Sequence, residues 1–186
     1  MKVLFANPAY RMDLGNGFER YFFCAGSRCP WSLIKPSADL PRYAMFPFFM
    51  GYAAALLEYD SFEAEALDAV PLNLSLDEFM QRAVEATPDM IVLEPATTSF
   101  VWVLGIASRL KRETAATIVL AGPHASVLAA PTLKENPFID YILTGEYEHN
   151  LHALARALAG KTDHKRMVMG GDCYNYAMLA TGQLDI

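Results

Sequence analysis

The sequence predicts an α/β fold in which helices cover both faces of a five-stranded parallel sheet. Residues 90–93 are an uninterrupted apolar run bounded by Pro88 and Pro95. The run is too short for a helix, and its lack of alternation is typical of a central strand that is buried on both faces. Further strand-like segments alternate with helical patterns along the chain. Because right-handed crossovers leave few topologies, we expect a doubly wound sheet of flavodoxin-like order 2-1-3-4-5.

The first predicted strand covers residues 2–6 and ends at Asn7 and Pro8, because proline has no N–H to donate to a neighbouring strand. Residues 9–46 follow with little periodicity, several glycines and prolines, and many aromatic side chains. Loops of this length are usually functional or disordered, and a disordered segment would not keep so many aromatics. We therefore expect an ordered aromatic flap that covers a ligand or another domain.

The rest of the chain alternates between helices and strands. Ser75 and Glu78 form a capping box, which predicts the start of a helix. Gly160 suits the left-handed residue that ends the last clear helix. We predict a domain over residues 1–160 and a hairpin-like tail or linker over residues 161–186. The other predicted segments are helices over residues 47–58, 75–86, 99–113 and 127–133 and strands over residues 62–69, 117–121 and 138–143.

The composition excludes several classes of protein. Lys and Arg number 15 against 21 Asp and Glu, the net charge is −6, and the basic residues are scattered, so we expect no nucleic-acid partner. Three cysteines, an odd number, fit a reducing cytoplasm better than a disulfide framework. The longest uncharged run, residues 43–57, is shorter than the roughly 20 residues that a bilayer requires. With no signal peptide recognisable before the first strand, we expect a soluble, cytoplasmic protein without a membrane span.

A ligand site is predicted where the strand order reverses, at the carboxyl ends of the strands. In the expected order this point lies between the first strand, which ends at Asn7 and Pro8, and the third, which ends at residues 94–98. Bulky side chains give way there to small residues and hydroxyls, which leaves space and polar groups for a ligand. Threonines also cap helices, and this alternative stays open.

The common ligands of this fold are disfavoured by the residues at the strand ends. Gly15 and Gly17 lack the third glycine of a dinucleotide fingerprint, and the chain has no Walker loop. Residues 8–11 do not form the Ser/Thr/Gly-rich loop that binds a flavin phosphate. A receiver domain needs acidic residues where Asn7 stands and an aspartate where Glu94 stands.

Metal binding is a minor alternative. Cys24 and Cys29 are separated by four residues without a second pair, so we expect structural rather than metal-binding cysteines. His149 and His152 lie about one helical turn apart with two glutamates nearby, but acidic residues at a helix start are ordinary partners of the helix dipole. The sequence shows no complete catalytic apparatus.

Several short motifs in chain order resemble one family. They are Asn7-Pro8 after the first strand, Gly26-Ser27-Arg28 followed by Pro30, Phe46-Pro47 before the helix that contains residues 53–58, Gly122-Pro123-His124-Ala125, and Gly145-Glu146-Tyr147-Glu148. With these motifs, residues 1–160 resemble the Rossmann-like N-terminal cobalamin-binding domain of cobalamin-dependent radical SAM enzymes. The turns that follow the strands are the most specific part of the resemblance.

The resemblance implies that the chain binds cobalamin, whose nucleotide tail slides between the sheet edge and its helices. Small residues at the strand ends leave room for the tail, while hydroxyls and backbone N–H groups bind its polar atoms. His124 either reaches the tail or the corrin ring, or caps the helix behind it. The expected cofactor contacts are Asn7, Pro8, Glu94, Pro95, Ala96, Thr97, Thr98, Ala121, Gly122, Pro123, His124, Gly145 and Glu146.

Two departures from related domains qualify the resemblance. Other cobalamin domains carry Asp-x-His-x-x-Gly after the first strand and supply a histidine to cobalt, whereas Asp13-Leu14-Gly15 has no such histidine. We therefore expect base-off cobalamin without a cobalt ligand from this loop.

The three-cysteine cluster motif of a radical SAM barrel is also absent. We expect S-adenosylmethionine and a 4Fe–4S cluster to belong to a missing C-terminal barrel linked in cis. The chain would then position cobalamin for methyl transfer or radical chemistry and catalyse nothing alone. The alternative is a standalone cofactor-binding or sensor module.

Overall fold

The computed structural model describes residues 1–25, 32–39 and 45–160. Eight strands and six helices are defined within these ranges. The strands are β1 (Lys2–Asn7), β2 (Tyr10–Gly15), β3 (Phe18–Phe22), β4 (Ser32–Pro36), β5 (Glu63–Asp68), β6 (Met90–Leu93), β7 (Thr117–Leu120) and β8 (Tyr141–Ile142). The helices are α1 (Phe48–Tyr59), α2 (Leu76–Glu85), α3 (Phe100–Glu113), α4 (Pro123–Val127), α5 (Ala129–Glu135) and α6 (Glu148–Leu158).

The main sheet is parallel and contains five strands in the order β5-β1-β6-β7-β8. Counted among themselves, these strands run 2-1-3-4-5, the order that the sequence predicts. Strands β1 and β6 are neighbours, in register from Val3 opposite Met90 to Ala6 opposite Leu93. The carboxyl ends of all five strands therefore lie along one edge of the sheet.

Helices cover both faces of this sheet, which explains the uninterrupted apolar run of β6. Ile91 and Leu93 pack into a core formed with α2 and α3, whereas Met90 and Val92 pack into a core formed with α1 and α6. All four side chains are fully buried. The interpretation of residues 90–93 as a central strand is confirmed.

Local sequence signals place the start of α2 as predicted. The backbone N–H of Glu78 donates to Ser75 Oγ at 3.3 Å, and the backbone N–H of Ser75 donates to Glu78 Oε2 at 2.8 Å. Two N–H groups without helical partners are thereby satisfied. At the other end of the domain, Gly160 follows α6 with φ +67°, as expected of a left-handed terminal residue.

The predicted flap is in part a second sheet, which the sequence analysis missed. Strands β2, β3 and β4 form an antiparallel sheet of three strands, and residues 15–17 make the first turn with φ values of +77°, +52° and +77°. The sheet lies on the α3 side, where Tyr10 stacks on Trp102 with ring centroids 4.7 Å apart.

The amphipathic pattern of this small sheet is irregular, because charged residues share its core-facing side with the fully buried Tyr21, and the sheet was missed for this reason. Glu19 and Lys35 are buried, with Lys35 Nζ 2.5 Å from Glu19 Oε1, while Met12 and Ile34 are 41% and 54% exposed. Arg11 adds a second ion pair to Glu19 at 2.9 Å. Alternating apolar residues predict a strand only when they face the core.

The other differences are confined to short elements. The helix predicted over residues 127–133 is a pair of short helices, α4 and α5, and the strand predicted over residues 138–143 is reduced to Tyr141–Ile142. The predicted hairpin-like tail, residues 161–186, lies outside the described residues. Among the helices of the described ranges, none is long and apolar enough to cross a bilayer.

Candidate cofactor site

A cavity of about 260 Å³ opens at the carboxyl edge of the main sheet. It lies where the first turn of α1 approaches the loops that follow β7 and β8. One wall comes from Phe49 of α1 and another from Tyr147, the residue before α6. The lining residues are Phe49, Gly122, Pro123, Ser126, Gly145, Glu146 and Tyr147. We call this cavity the α1–α6 slot.

Glycine is required at position 122 for two separate reasons. Gly122 has φ +93° and ψ 174°, a backbone conformation that is essentially restricted to glycine. A Cβ atom there would also lie 2.7 Å from Glu94 Cγ. A bulky substitution at this position would therefore disturb the fold as well as the slot.

Ser126 joins the two loops that border the slot. Its hydroxyl donates to the carbonyl oxygen of Gly122 at 2.8 Å and accepts from the N–H of Gly145 at 3.0 Å. The loops after β7 and β8 are thereby held at a fixed separation.

A buried carboxylate and a buried phenol meet behind the slot. Tyr147 Oη donates to Glu94 Oε2 at 2.8 Å, and the two residues are 1% and 5% exposed. Burial, reinforced by the neighbouring carboxylate of Glu94, raises the pKa of Tyr147 well above its ordinary value. The phenol therefore stays protonated and acts as the donor.

The predicted site residues fall into three groups. Gly122, Pro123, Gly145 and Glu146 line the slot. Glu94 contacts the slot from behind, and Ala121 is fully buried immediately after β7.

A second group forms the loop after β6 and does not line the slot. Pro95 and Ala96 are buried, whereas Thr97 and Thr98 are exposed. His124 Nδ1 lies 3.1 Å from Thr97 Oγ1, and its ring packs at a tilt of 56° against the ring of Phe100, with centroids 4.4 Å apart. Nδ1 thus faces a threonine hydroxyl of this loop, and both roles expected for His124, a cofactor contact or a helix cap, stay predictions.

The third group, Asn7 and Pro8, is buried at the end of β1 and likewise does not line the slot. Asn7 Nδ2 donates to Asp68 Oδ1 at 3.0 Å, and Asn7 Oδ1 accepts from the N–H of Ala25 at 3.1 Å. The side chain ties β1 to β5 and to the segment after β3. The structure thus separates Asn7 and Pro8 from the residues that border the slot.

Three lining residues were missed by the sequence analysis. Tyr147 belongs to the motif of residues 145–148, and Ser126 directly follows the motif of residues 122–125. Their closeness to these two turns was the signal that could have identified them. Phe49 gave no signal, because an aromatic residue in an apolar helix is usually a core residue.

Two of the side chains considered for metal binding, Cys24 and His152, have identifiable surroundings. His152 Nε2 lies 3.1 Å from Asp60 Oδ2, which links α6 to the end of α1. Burial raises the pKa of the Cys24 thiol to about 12, so this cysteine stays protonated. Within residues 1–25, 32–39 and 45–160, no group of three or more His, Cys, Asp or Glu side chains is arranged to hold a metal ion. Cys29 lies outside the described residues.

Comparison with known proteins identifies the family of this fold. Residues 41–155, more than half of the chain, match the model of the B12 binding domain. The chain belongs to the B12-binding domain family. Its cofactor is therefore cobalamin. No curated protein matches the chain significantly.

Two solved enzymes share the fold. The radical S-adenosylmethionine methyltransferase TsrM from Kitasatospora setae, with cobalamin and a 4Fe–4S cluster bound, matches with a TM-score of 0.59 and 18% identity over 87% of this chain. The cobalamin-dependent S-adenosylmethionine radical enzyme OxsB, with aqua-cobalamin and S-adenosylmethionine bound, matches with a TM-score of 0.52 and 13% identity over 84% of this chain. The match covers 27% of each of these longer chains.

The slot fits one part of cobalamin rather than the whole cofactor. Its volume of about 260 Å³ lies below the roughly 300–1,000 Å³ of pockets that enclose drug-sized ligands. Cobalamin is larger than such ligands. The aromatic and proline lining suits a flat apolar group, and Ser126 and Glu146 add polar atoms. These features match the base at the end of the nucleotide tail.

Proposed function

We propose that this chain binds cobalamin with its nucleotide tail in the α1–α6 slot and its corrin ring over the carboxyl edge of the sheet. The observation that carries the proposal is the slot itself, which opens between Phe49 and Tyr147 at the strand ends and is bordered by Gly122 and Gly145. A flat base enters beside the half-buried ring of Phe49, where an aromatic contact contributes about 0.5–1.5 kcal/mol beyond the burial of apolar area.

The neighbouring polar groups orient the tail rather than react with it. Ser126 fixes the distance between the two bordering loops through its bonds to Gly122 and Gly145. Glu146 is exposed at the slot and can accept hydrogen bonds from hydroxyl groups of the tail. Preorganised loops reduce the entropy that is lost when the ligand binds.

The proposal includes the base-off state of cobalamin. A base held in the slot cannot at the same time coordinate cobalt. Asp13, which stands in the segment where related domains carry a histidine motif, lies in β2 and accepts the N–H of Gly15 at 2.8 Å. The segment from Tyr10 to Gly15 is a strand of the small sheet and contains no histidine. We expect the lower face of cobalt to receive no protein nitrogen from it.

We further propose that the corrin faces a radical SAM barrel in cis, which holds S-adenosylmethionine and a 4Fe–4S cluster. Support comes from the descriptions of TsrM and OxsB and from their greater length. When bound, cobalamin supplies a cobalt centre that can carry a methyl group or take part in radical chemistry. This chain binds the cofactor and sets its orientation, while the reacting substrate is bound elsewhere.

Titration with hydroxocobalamin tests the proposal. We expect the corrin absorption spectrum to shift with saturation at micromolar protein. Reduction to cob(II)alamin should then give an electron paramagnetic resonance spectrum without the splitting that an axial nitrogen imposes on the cobalt lines. The absence of any spectral shift would reject cobalamin binding by the isolated chain, and nitrogen splitting would reject the base-off state.

A further inference from the structure

The hydrogen-bonded pair of Glu94 and Tyr147 lies behind the α1–α6 slot, which Tyr147 lines. Glu94 follows the central strand directly, and Tyr147 precedes α6, so the pair joins two elements of the sheet edge. Both side chains are almost completely buried, and their oxygen atoms are 2.8 Å apart. A phenol that donates to a buried carboxylate makes a charge-assisted bond, which is stronger than a bond between neutral groups.

The position of Glu94 indicates that its side chain fills space behind the slot and does not contact the bound cofactor. Its Cγ atom occupies the space next to Gly122, where a Cβ atom would lie 2.7 Å away. Tyr147, which lines the slot, is bonded to its carboxylate. Glu94 therefore supports two lining residues from behind. Shortening this side chain would extend the slot towards the end of β6.

Packing alone does not require a carboxylate and a phenol at these two positions. A buried carboxylate is costly unless it is paired, and apolar residues of similar volume often serve a core equally well. Small apolar residues occupy the adjacent positions Ala96 and Ala121. A hydrogen-bonded pair differs from apolar packing because neither side chain can move without breaking the hydrogen bond between them. Such a pair therefore gives the slot a fixed depth.

We propose that Glu94 and Tyr147 set the depth of the slot and thereby determine which lower base of a corrinoid it accepts. The inference rests on the proposed function, since it assumes that the base enters the slot. The slot then accepts lower bases up to the size of dimethylbenzimidazole and excludes larger ones. Larger fused bases meet the ring of Tyr147, which Glu94 holds in place.

A series of cobamides that differ only in the lower base tests this inference. Dissociation constants would be measured by absorption titration for the benzimidazole, dimethylbenzimidazole and naphthimidazole forms, with cobinamide, which has no nucleotide tail, as the probe for the corrin alone. The wild-type chain should bind the naphthimidazole form at least about tenfold more weakly than the dimethylbenzimidazole form, a discrimination typical of small size differences in apolar pockets.

Two variants distinguish the effect of the length of the Glu94 side chain from the effect of its charge. Glu94→Ala should reduce the difference between these two forms to within about threefold, because the slot becomes deeper. Glu94→Gln keeps the volume and an oxygen that can accept from Tyr147, so it should retain the wild-type difference. Circular dichroism and unchanged affinity for cobinamide would show that both variants are folded.

The possible results distinguish failure of the proposed role of Glu94 and Tyr147 from failure of cobalamin binding itself. An unchanged difference in folded Glu94→Ala, or no size preference in the wild-type chain, would overturn the role of the pair while cobalamin binding stands. Failure of the wild-type chain to bind any cobamide would overturn the proposed function together with this inference. A preference that relaxes in Glu94→Ala and persists in Glu94→Gln supports it.

Discussion

Enlarging the side chain at position 49 should block the slot without disturbing the rest of the domain. Phe49 is half-buried in the first turn of α1 and contributes one aromatic wall of the slot. Phe49→Trp keeps an aromatic ring there but extends it into the space of about 260 Å³ that we assign to the base. The tail must then shift or leave.

The size of the effect follows from the cost of overpacking a filled apolar site. That cost is typically about 1–3 kcal/mol, which corresponds to a roughly 5- to 140-fold loss of affinity at about 1.4 kcal/mol per tenfold. Cobalamin should therefore bind Phe49→Trp more weakly by this factor. Cobinamide, which has no tail to place in the slot, should bind the variant and the wild-type chain equally.

The neighbouring residue provides a matched control. Phe48 lies on the same helix, is 57% exposed and does not line the slot. Phe48→Trp makes the same chemical change outside the slot, and exposed substitutions usually alter stability by no more than about 0.5 kcal/mol. Isothermal titration calorimetry would give the dissociation constants of both variants for cobalamin and for cobinamide. Equal cobalamin affinity in Phe49→Trp and Phe48→Trp would refute the placement of the tail, as would a parallel loss of cobinamide binding.

Three further predictions concern stability. Glu19→Gln should lower the free energy of unfolding by about 1.5–3 kcal/mol in urea titrations, because Lys35 loses its carboxylate and keeps only the carbonyl oxygens of Pro36 and Asp39; a loss below about 1 kcal/mol would contradict this. Gly122→Ala should cost at least about 1–3 kcal/mol from backbone strain, and Glu94→Ala should not rescue it fully, since φ stays at +93°. Burial raises the pKa of Asp68, so its carboxylate lowers stability as the pH rises above the ordinary value of about 3.9. Asp68→Asn keeps the oxygen that accepts from Asn7 and the Val70 N–H, and should flatten the fall in thermal stability as the pH rises above about 4, without lowering stability at neutral pH; an unchanged profile would count against it.

The parts of the fold that local patterns determine could be predicted from the sequence. Residues 90–93 indicated the central strand because a strand covered on both faces needs no polar positions. Ser75 and Glu78 marked the start of α2 because a capping box satisfies its own backbone groups regardless of the surrounding fold.

The small sheet could not be predicted in the same way. Its core-facing side carries Glu19 and Lys35, and its exposed side carries Met12 and Ile34. Ion pairs within the chain compensate for the buried charges, and such pairing depends on strands that meet only in three dimensions. A periodicity argument assigns these residues to the opposite faces.

The site was predictable only as far as the turns that form it. Gly122 and Gly145 follow strands whose ends were identifiable, and positive φ values require glycine or a similar residue there. Asn7 occupies an equivalent strand end, yet its amide binds Asp68 and Ala25 instead of facing the slot. Phe49 reaches the slot only because α1 and α6 pack on the same face of the sheet, a tertiary relation with no local signal.

The most direct test of cobalamin binding in the slot is a crystal structure of the chain with hydroxocobalamin. We expect the lower base against the ring of Phe49, beside Gly122 and Gly145, with its far end at Tyr147, and no protein nitrogen from residues 10–15 on cobalt. A base that lies on the α3 side of the sheet, or that remains coordinated to cobalt outside the slot, would contradict the account.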